Sequence, residues 1–247
     1  MKKEKAVSYT IEFAIISFIT AVIIFMVGLG FTNYLKKKNL PHSSPVFEET
    51  RSTRIVIDPG HGGEDAGAIA SDGTLEKDLN LEIANLIKVI LELNGCNVTM
   101  TRQEDTLLYD KYGDLNDYTG HKKVYDLKNR LKIASEYENS IYVGIHMNKF
   151  PIEKYSGLQV YYSSNNDLSY DIANEVKDAV TKSLQPHNTR PLKRADNSIY
   201  ILDKATIPAV LIECGFMSNE MELSLLKDKE YQKSLALCLF SSLVRYA

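Results

Sequence analysis

Ile55-Val56-Ile57-Asp58-Pro59-Gly60-His61-Gly62-Gly63 places three β-branched residues directly ahead of a carboxylate, a proline and a glycine-rich turn that carries an imidazole. A short β-branched run bounded by turn residues predicts a buried strand at 54–58, and the glycines after it predict a loop over 59–73. The same pattern recurs outward along the chain. Ile141-Tyr142-Val143-Gly144-Ile145 runs into His146, and Ala209-Val210-Leu211-Ile212 runs into Glu213. In open α/β sheets, functional groups gather beyond the carboxyl ends of the strands. Three apolar runs ending on His or Glu therefore predict one site assembled from distant segments. A carboxylate removed from water is costly unless it is paired or binds a metal, so these positions call for a partner.

The remaining segments fit the same frame. Residues 75–94 carry Leu75, Leu79, Ile83, Leu86, Ile87 and Ile90 at helical spacing, with Thr74 as N-cap and Gly95 as stop. Further strands are expected at 97–102, 140–146, 157–163, 198–202 and 208–213. Helices are expected at 125–138, 168–184 and 229–245, with a polar segment at 103–124. The alternation of strands and helices predicts an α/β fold: three layers, a mostly parallel sheet flanked by helices, in a single catalytic domain over 54–247.

With 44% hydrophobic and 25% charged residues, the composition is that of a globular protein. Setting aside the six basic and four acidic residues of positions 1–50 leaves 23 basic and 28 acidic residues, a balance of −5. That balance implies no basic face, and nucleic acid is not an expected partner. Ala14–Phe31 (AIISFITAVIIFMVGLGF) is uncharged and about long enough to span a bilayer. Lys2, Lys3 and Lys5 precede it and Lys36, Lys37 and Lys38 follow it. Residues 1–35 read as a signal anchor or a cleaved signal peptide, and 36–53 as a linker. Both readings put the catalytic part outside the cytoplasm, membrane-anchored or secreted. Three widely spaced cysteines, Cys96, Cys214 and Cys238, argue against both a disulfide framework and a thiolate zinc site. Cys214 adjoins Glu213, but strand alternation turns it to the opposite face.

Hydrolytic zinc sites commonly use three His, Glu or Asp ligands and a water, with a nearby carboxylate to move the proton. His61, His146 and one carboxylate can supply the ligands, and a second carboxylate can serve as base. Glu76 and Glu213 are the candidates. Glu76 also suits the first turn of a helix on electrostatic grounds alone.

Four motifs in order, IVIDPGHGGEDAGA (Ile55–Ala68), EKDLN (Glu76–Asn80), IHMN (Ile145–Asn148) and PAVLIECGFMSN (Pro208–Asn219), resemble the zinc-dependent N-acetylmuramoyl-L-alanine amidases of the amidase-3 type. The resemblance covers essentially all of 54–247. It implies that His61, Glu76 and His146 bind Zn2+ and that Glu213 is the catalytic acid/base. It also implies a peptidoglycan substrate, cut between the lactyl group of N-acetylmuramic acid and the L-alanine of the stem peptide. Asp58 and Asn148 are candidates to orient the ligands, although Asp58 before Pro59 reads equally as a turn residue. Arg194 is a candidate to meet substrate carboxylates. One N-terminal apolar segment before a bare catalytic domain resembles the CwlD-type branch of this family. Members of that branch act on spore cortex, where stem-peptide removal precedes muramic δ-lactam formation needed for germination. Where relatives have a short loop, this chain has a Tyr- and Asp-rich insert at 103–128. Long loops tend to be functional; the insert is a candidate to bind glycan, to gate the zinc or to dock a partner protein such as an activating lipoprotein. The alternatives are a zinc carboxypeptidase-like peptidase and a non-catalytic wall-binding scaffold.

Overall fold

A computed structural model describes residues 53–247. The expected signal segment 1–35 and all but the last residue of the linker 36–53 lie outside the described residues. Six strands form one sheet: β1 (Arg54–Pro59), β2 (Asn97–Met100), β3 (Ser140–Asn148), β4 (Gln159–Tyr162), β5 (Lys193–Arg194) and β6 (Ala209–Phe216), in the order β2-β1-β3-β6-β4-β5. β4 runs antiparallel to β6, and every other pairing is parallel. The sheet is thus mixed, with a parallel core.

Helices cover both faces, which is why the central strands read as unbroken apolar runs. On one face Ile55, Ile57, Val143, Ile145, Val210 and Ile212 pack with residues of α1 (Glu76–Leu93), α3 (Leu168–Ser183) and α6 (Lys229–Leu243). On the other, Val56, Tyr142 and Leu211 pack with α2 (Lys122–Ala134) and the short α4 (Tyr200–Lys204). Cys214 joins the first cluster, opposite Glu213, as strand alternation requires. Among the described residues, no helix is long and apolar enough to cross a membrane.

Four local features differ from expectation. Residues 198–202, expected as a strand, turn into α4, which buries Ile201 and Leu202. There Ile201 and Leu202 pack onto the sheet face with Ile133 and Ala134 of α2, a burial that a helix turn provides and an edge strand would not. The helix expected at 125–138 starts at Lys122 and stops at Ala134, with Ser135 closing it back onto Leu131 and Lys132. A helix that the apolar periodicity did not reveal, α5 (Glu220–Lys227), begins after Asn219, whose side chain caps it by accepting from the Glu222 N–H at 3.1 Å. Thr74 does not cap α1; Leu75 occupies that position without a side-chain hydrogen bond.

Strand register positions the site. Asp58 pairs with Gly144 and Pro59 with Ile145 across β1 and β3, while His146 pairs with Glu213 across β3 and β6. Beyond His146 the register shifts in a bulge before Asn148, a common device beside active sites.

Candidate metal centre

At the carboxyl ends of β1 and β3 and the first turn of α1, one ligand atom each from His61, Glu76 and His146 lies within 4.8 Å of the other two. His146 Nδ1 is 3.1 Å and His61 Nε2 is 3.3 Å from Glu76 Oε1. Two donors on one tetrahedral zinc are roughly 3.4 Å apart, given bonds of about 2.0–2.1 Å. The separations and the His-Glu-His donor set therefore fit such an ion. The two imidazole rings meet edge to face, 5.1 Å between centroids.

The surroundings hold these side chains in place. Glu76 Oε2 accepts from the Ala68 N–H at 2.8 Å, and Oε1 accepts from the Met147 N–H at 3.1 Å and from Asn80 Nδ2 at 3.3 Å. Burial alone would raise the Glu76 pKa, but hydrogen bonds from His146 and His61 hold it far below the usual carboxylate range. His61 Nδ1 lies 2.9 Å from Asp65 Oδ2, an ion-pair contact outside good hydrogen-bond geometry. Burial disfavours the His61 imidazolium, yet Glu76 and Asp65 outweigh it and raise its pKa.

His61 itself sits at φ +62, a conformation that non-glycine residues rarely adopt. Two arginines fix the backbone there. Arg102 donates to the carbonyls of Pro59, Gly60 and Lys77, and Arg130 to those of Pro59 (2.8 Å) and His61 (2.6 Å). Asp58 is buried and anchors Arg130 at 2.6 Å; it also accepts from Tyr142 and Thr101. It is thus linked to His61 through Arg130. Asn80 ties Gly60 O to Glu76. The sequence carried one signal for Asn80: it follows Glu76 by four residues on the same helix face. No local pattern marked Asp65, Arg102 or Arg130 as supports of the loop.

Glycine at 60 is required by close approach. A Cβ there would lie 2.1 Å from His146 Cε1, and one at Gly67 would lie 2.6 Å from Glu76 Oε2. Gly60→Ala should displace the His146 ring and weaken metal binding by about 10- to 100-fold, the range for disturbed ligand supports. Competition against a chelator measures it, and unchanged affinity would show that the ring can move at no cost.

Glu213 faces the same space. It lines a cavity of about 240 Å3 with His61, His146, Tyr142, Leu127 and Tyr200. Its Oε2 is buried and, among the described residues, has no hydrogen-bond partner. Burial pushes its pKa up to about 7, Glu76 adds to the rise, and His146, His61 and Lys193 oppose it. A carboxyl tuned close to neutrality can both accept and return a proton.

Asn148 lies past the bulge, where its carbonyl accepts from the Met217 N–H at 2.7 Å. Arg194 is exposed on β5 and lines a separate cleft with Tyr162, Asp167 and Tyr170. The insert at 103–128 forms a wall of the metal loop. Asp105 accepts from the Gly63 N–H at 2.7 Å and pairs with Lys77 at 2.6 Å, while Lys123 and Leu127 line the cavity. Tyr109, Tyr118 and Tyr125 stack edge to face within it.

Residues 55–244 match the Amidase_3 family, N-acetylmuramoyl-L-alanine amidase. The germination-specific N-acetylmuramoyl-L-alanine amidase of Bacillus subtilis (strain 168) is 33% identical over 245 residues, covering 99% of this chain and 95% of that protein. Among solved structures, the CwlD amidase of Clostridioides difficile, in complex with the GerS lipoprotein, is similar with a TM-score of 0.72 at 37% identity, covering 78% of this chain and 97% of that one. The N-acetylmuramoyl-L-alanine amidase AmiC2 of Nostoc punctiforme is similar with a TM-score of 0.65 at 29% identity, over 79% and 97% of the two chains.

Proposed function

The chain belongs to the Amidase_3 family and is an N-acetylmuramoyl-L-alanine amidase; from that premise we propose a zinc enzyme in which His61, Glu76 and His146 hold the metal and Glu213 moves the proton. The observation that carries this reading is the convergence of three ligand atoms within 4.8 Å beside a buried, unpartnered carboxylate oxygen. Zinc in such a site supplies Lewis-acid polarisation of the scissile carbonyl and acidifies a water. The protein supplies the rest. Glu213 takes the proton of the attacking water and delivers it to the departing amine of L-alanine. Ala68, Met147 and Asn80 hold the Glu76 carboxylate in one orientation, and Arg130 holds the strained backbone of His61. The apolar walls of Leu127, Ile199 and Leu211 limit water around Glu213.

The relatives support a biological setting as well. Similarity to a germination-specific amidase over nearly its whole length supports a role in spore cortex, where stem-peptide removal prepares muramic δ-lactam. An extracytoplasmic place, anchored or secreted through residues 1–35, agrees with that substrate. A lipoprotein partner at 103–128 is supported by the complex formed by the C. difficile relative and by the insert's contacts to the metal loop.

Zinc titration followed by muropeptide analysis tests the reading. His61→Ala and His146→Ala should each lower zinc affinity by more than about 100-fold, beyond the loss of an outer hydrogen bond. Zinc retained stoichiometrically by both variants would refute the ligand set. Repeating the titration with a candidate lipoprotein tests the partner: it should raise zinc affinity or turnover, and deletion within 103–128 should remove the gain.

A further inference from the structure

The geometry points to a carboxylate-binding subsite at Arg190, which takes an acidic group of the stem peptide beyond the scissile bond; the inference rests on the amidase reading above. A second cleft, of about 400 Å3, opens between the turn 154–157 and the loop 184–190. It lies at the same end of the sheet as the metal centre. β4 runs antiparallel to β6 with Gln159 opposite Glu213, so Gly157 sits about 7 Å further along the strand direction.

Arg190 is fixed there from two sides. Its Nε donates to Ser156 O at 2.7 Å. Its guanidinium carbon lies 4.4 Å from the Phe216 ring centroid and 5.4 Å from that of Tyr155. Such stacking pre-orders the planar fork that matches a carboxylate in two hydrogen bonds. Among the described residues Arg190 forms no ion pair. Glu222, which lines the same cleft, commits both oxygens to the N–H groups of Gly157 and Phe216, each at 2.7 Å. The oriented guanidinium in this concave surface thus feels the Glu222 charge but makes no direct contact with its oxygens.

A row of aromatic rings borders Arg190. Phe150, four residues after His146, is 43% exposed and packs on Tyr155 at 5.1 Å, and Tyr155 on Phe216 at 6.2 Å. An extended peptide advances about 3.3–3.6 Å per residue. The strand-direction offset of about 7 Å corresponds to about two residues of such a peptide, and a stem peptide carries free carboxylates beyond its first residue.

Full-length enzyme with zinc tests this on disaccharide-peptides whose glutamate carboxylate is free or amidated. Arg190→Gln should raise KM on the free acid by about 10- to 100-fold, the worth of a charged hydrogen bond, with kcat within about threefold. On the amidated substrate the variant and parent should match. Binding of the tripeptide L-Ala-γ-D-Glu-L-Lys, followed by calorimetry without turnover, should weaken by the same factor, and Arg190→Lys should restore only part of it. Unchanged KM and tripeptide affinity in Arg190→Gln, or an equal loss on the amidated substrate, would overturn the subsite and leave the amidase reading intact. Failure of the parent enzyme to release any stem peptide would instead overturn that reading.

Discussion

Glu213→Gln is expected to lower kcat by about 10³-fold, within the usual range for loss of a general acid/base, while zinc affinity stays at the parental value. The amide keeps the size and shape of the carboxyl but can neither take the proton of a water nor return it to an amine. In the metal-free protein the variant should also be at least as stable as the parent at pH 8. Burial raises the Glu213 pKa to about 7, above its ordinary 4.5. The proton-bound form is therefore the one that folding favours, and ionisation costs stability progressively as pH rises from 4.5 through 7. Glutamine carries no such cost. A thermal melt at pH 5 and pH 8 reads this directly: the difference between variant and parent should move in favour of the variant at the higher pH. Parental turnover in Glu213→Gln would remove this residue from the mechanism, and loss of zinc would make it a ligand instead.

His146 and Glu213 were legible because each ends an apolar run, and His61 because it sits in the glycine-rich turn after one; Glu76, whose place in a first turn the helix dipole already explains, was singled out by the family resemblance. Sheet register then does what sequence alone cannot show, setting His146 beside Glu213 and Gly60 under the His146 ring. The supports were not legible. Arg102 and Arg130 act on carbonyls about 40 and 70 residues away, and no local periodicity encodes such reach. Asp58 looked like a turn residue before proline, yet it is buried against Arg130. The strand expected at 198–202 is a helix turn instead, because tertiary packing of Ile201 and Leu202 against α2 and the sheet face overrides strand preference. The insert at 103–128 showed its importance by its length, but only its contacts with Gly63 and Lys77 tie it to the metal loop.

Arg130→Met should destabilise the domain by about 3–5 kcal/mol, the usual cost of breaking a buried ion pair from one side, a large share of a typical total stability of about 5–15 kcal/mol. Arg130 pairs with Asp58 at 2.6 Å and Asp126 at 2.7 Å, all three buried. Methionine fills part of the volume but leaves two carboxylates without a cation and frees the His61 carbonyl. Burial opposes ionisation of Asp58, yet Arg130, Thr101 and Tyr142 lower its pKa below the ordinary 3.8. In the parent the pairing therefore contributes fully above pH 3.8 and is lost as pH falls through the lowered folded value. In the variant Asp58 loses its main compensating charge, so its pKa rises and protonation relieves the strain. The gap in melting temperature should accordingly be widest near pH 7 and narrow toward pH 4. Asp58→Asn added to Arg130→Met should recover part of the loss, because it removes the unpaired charge while the amide oxygen still accepts from one of the two hydroxyls, Thr101 or Tyr142. A penalty below about 1 kcal/mol, as at an exposed pair, would mean that the network is not what holds the His61 loop.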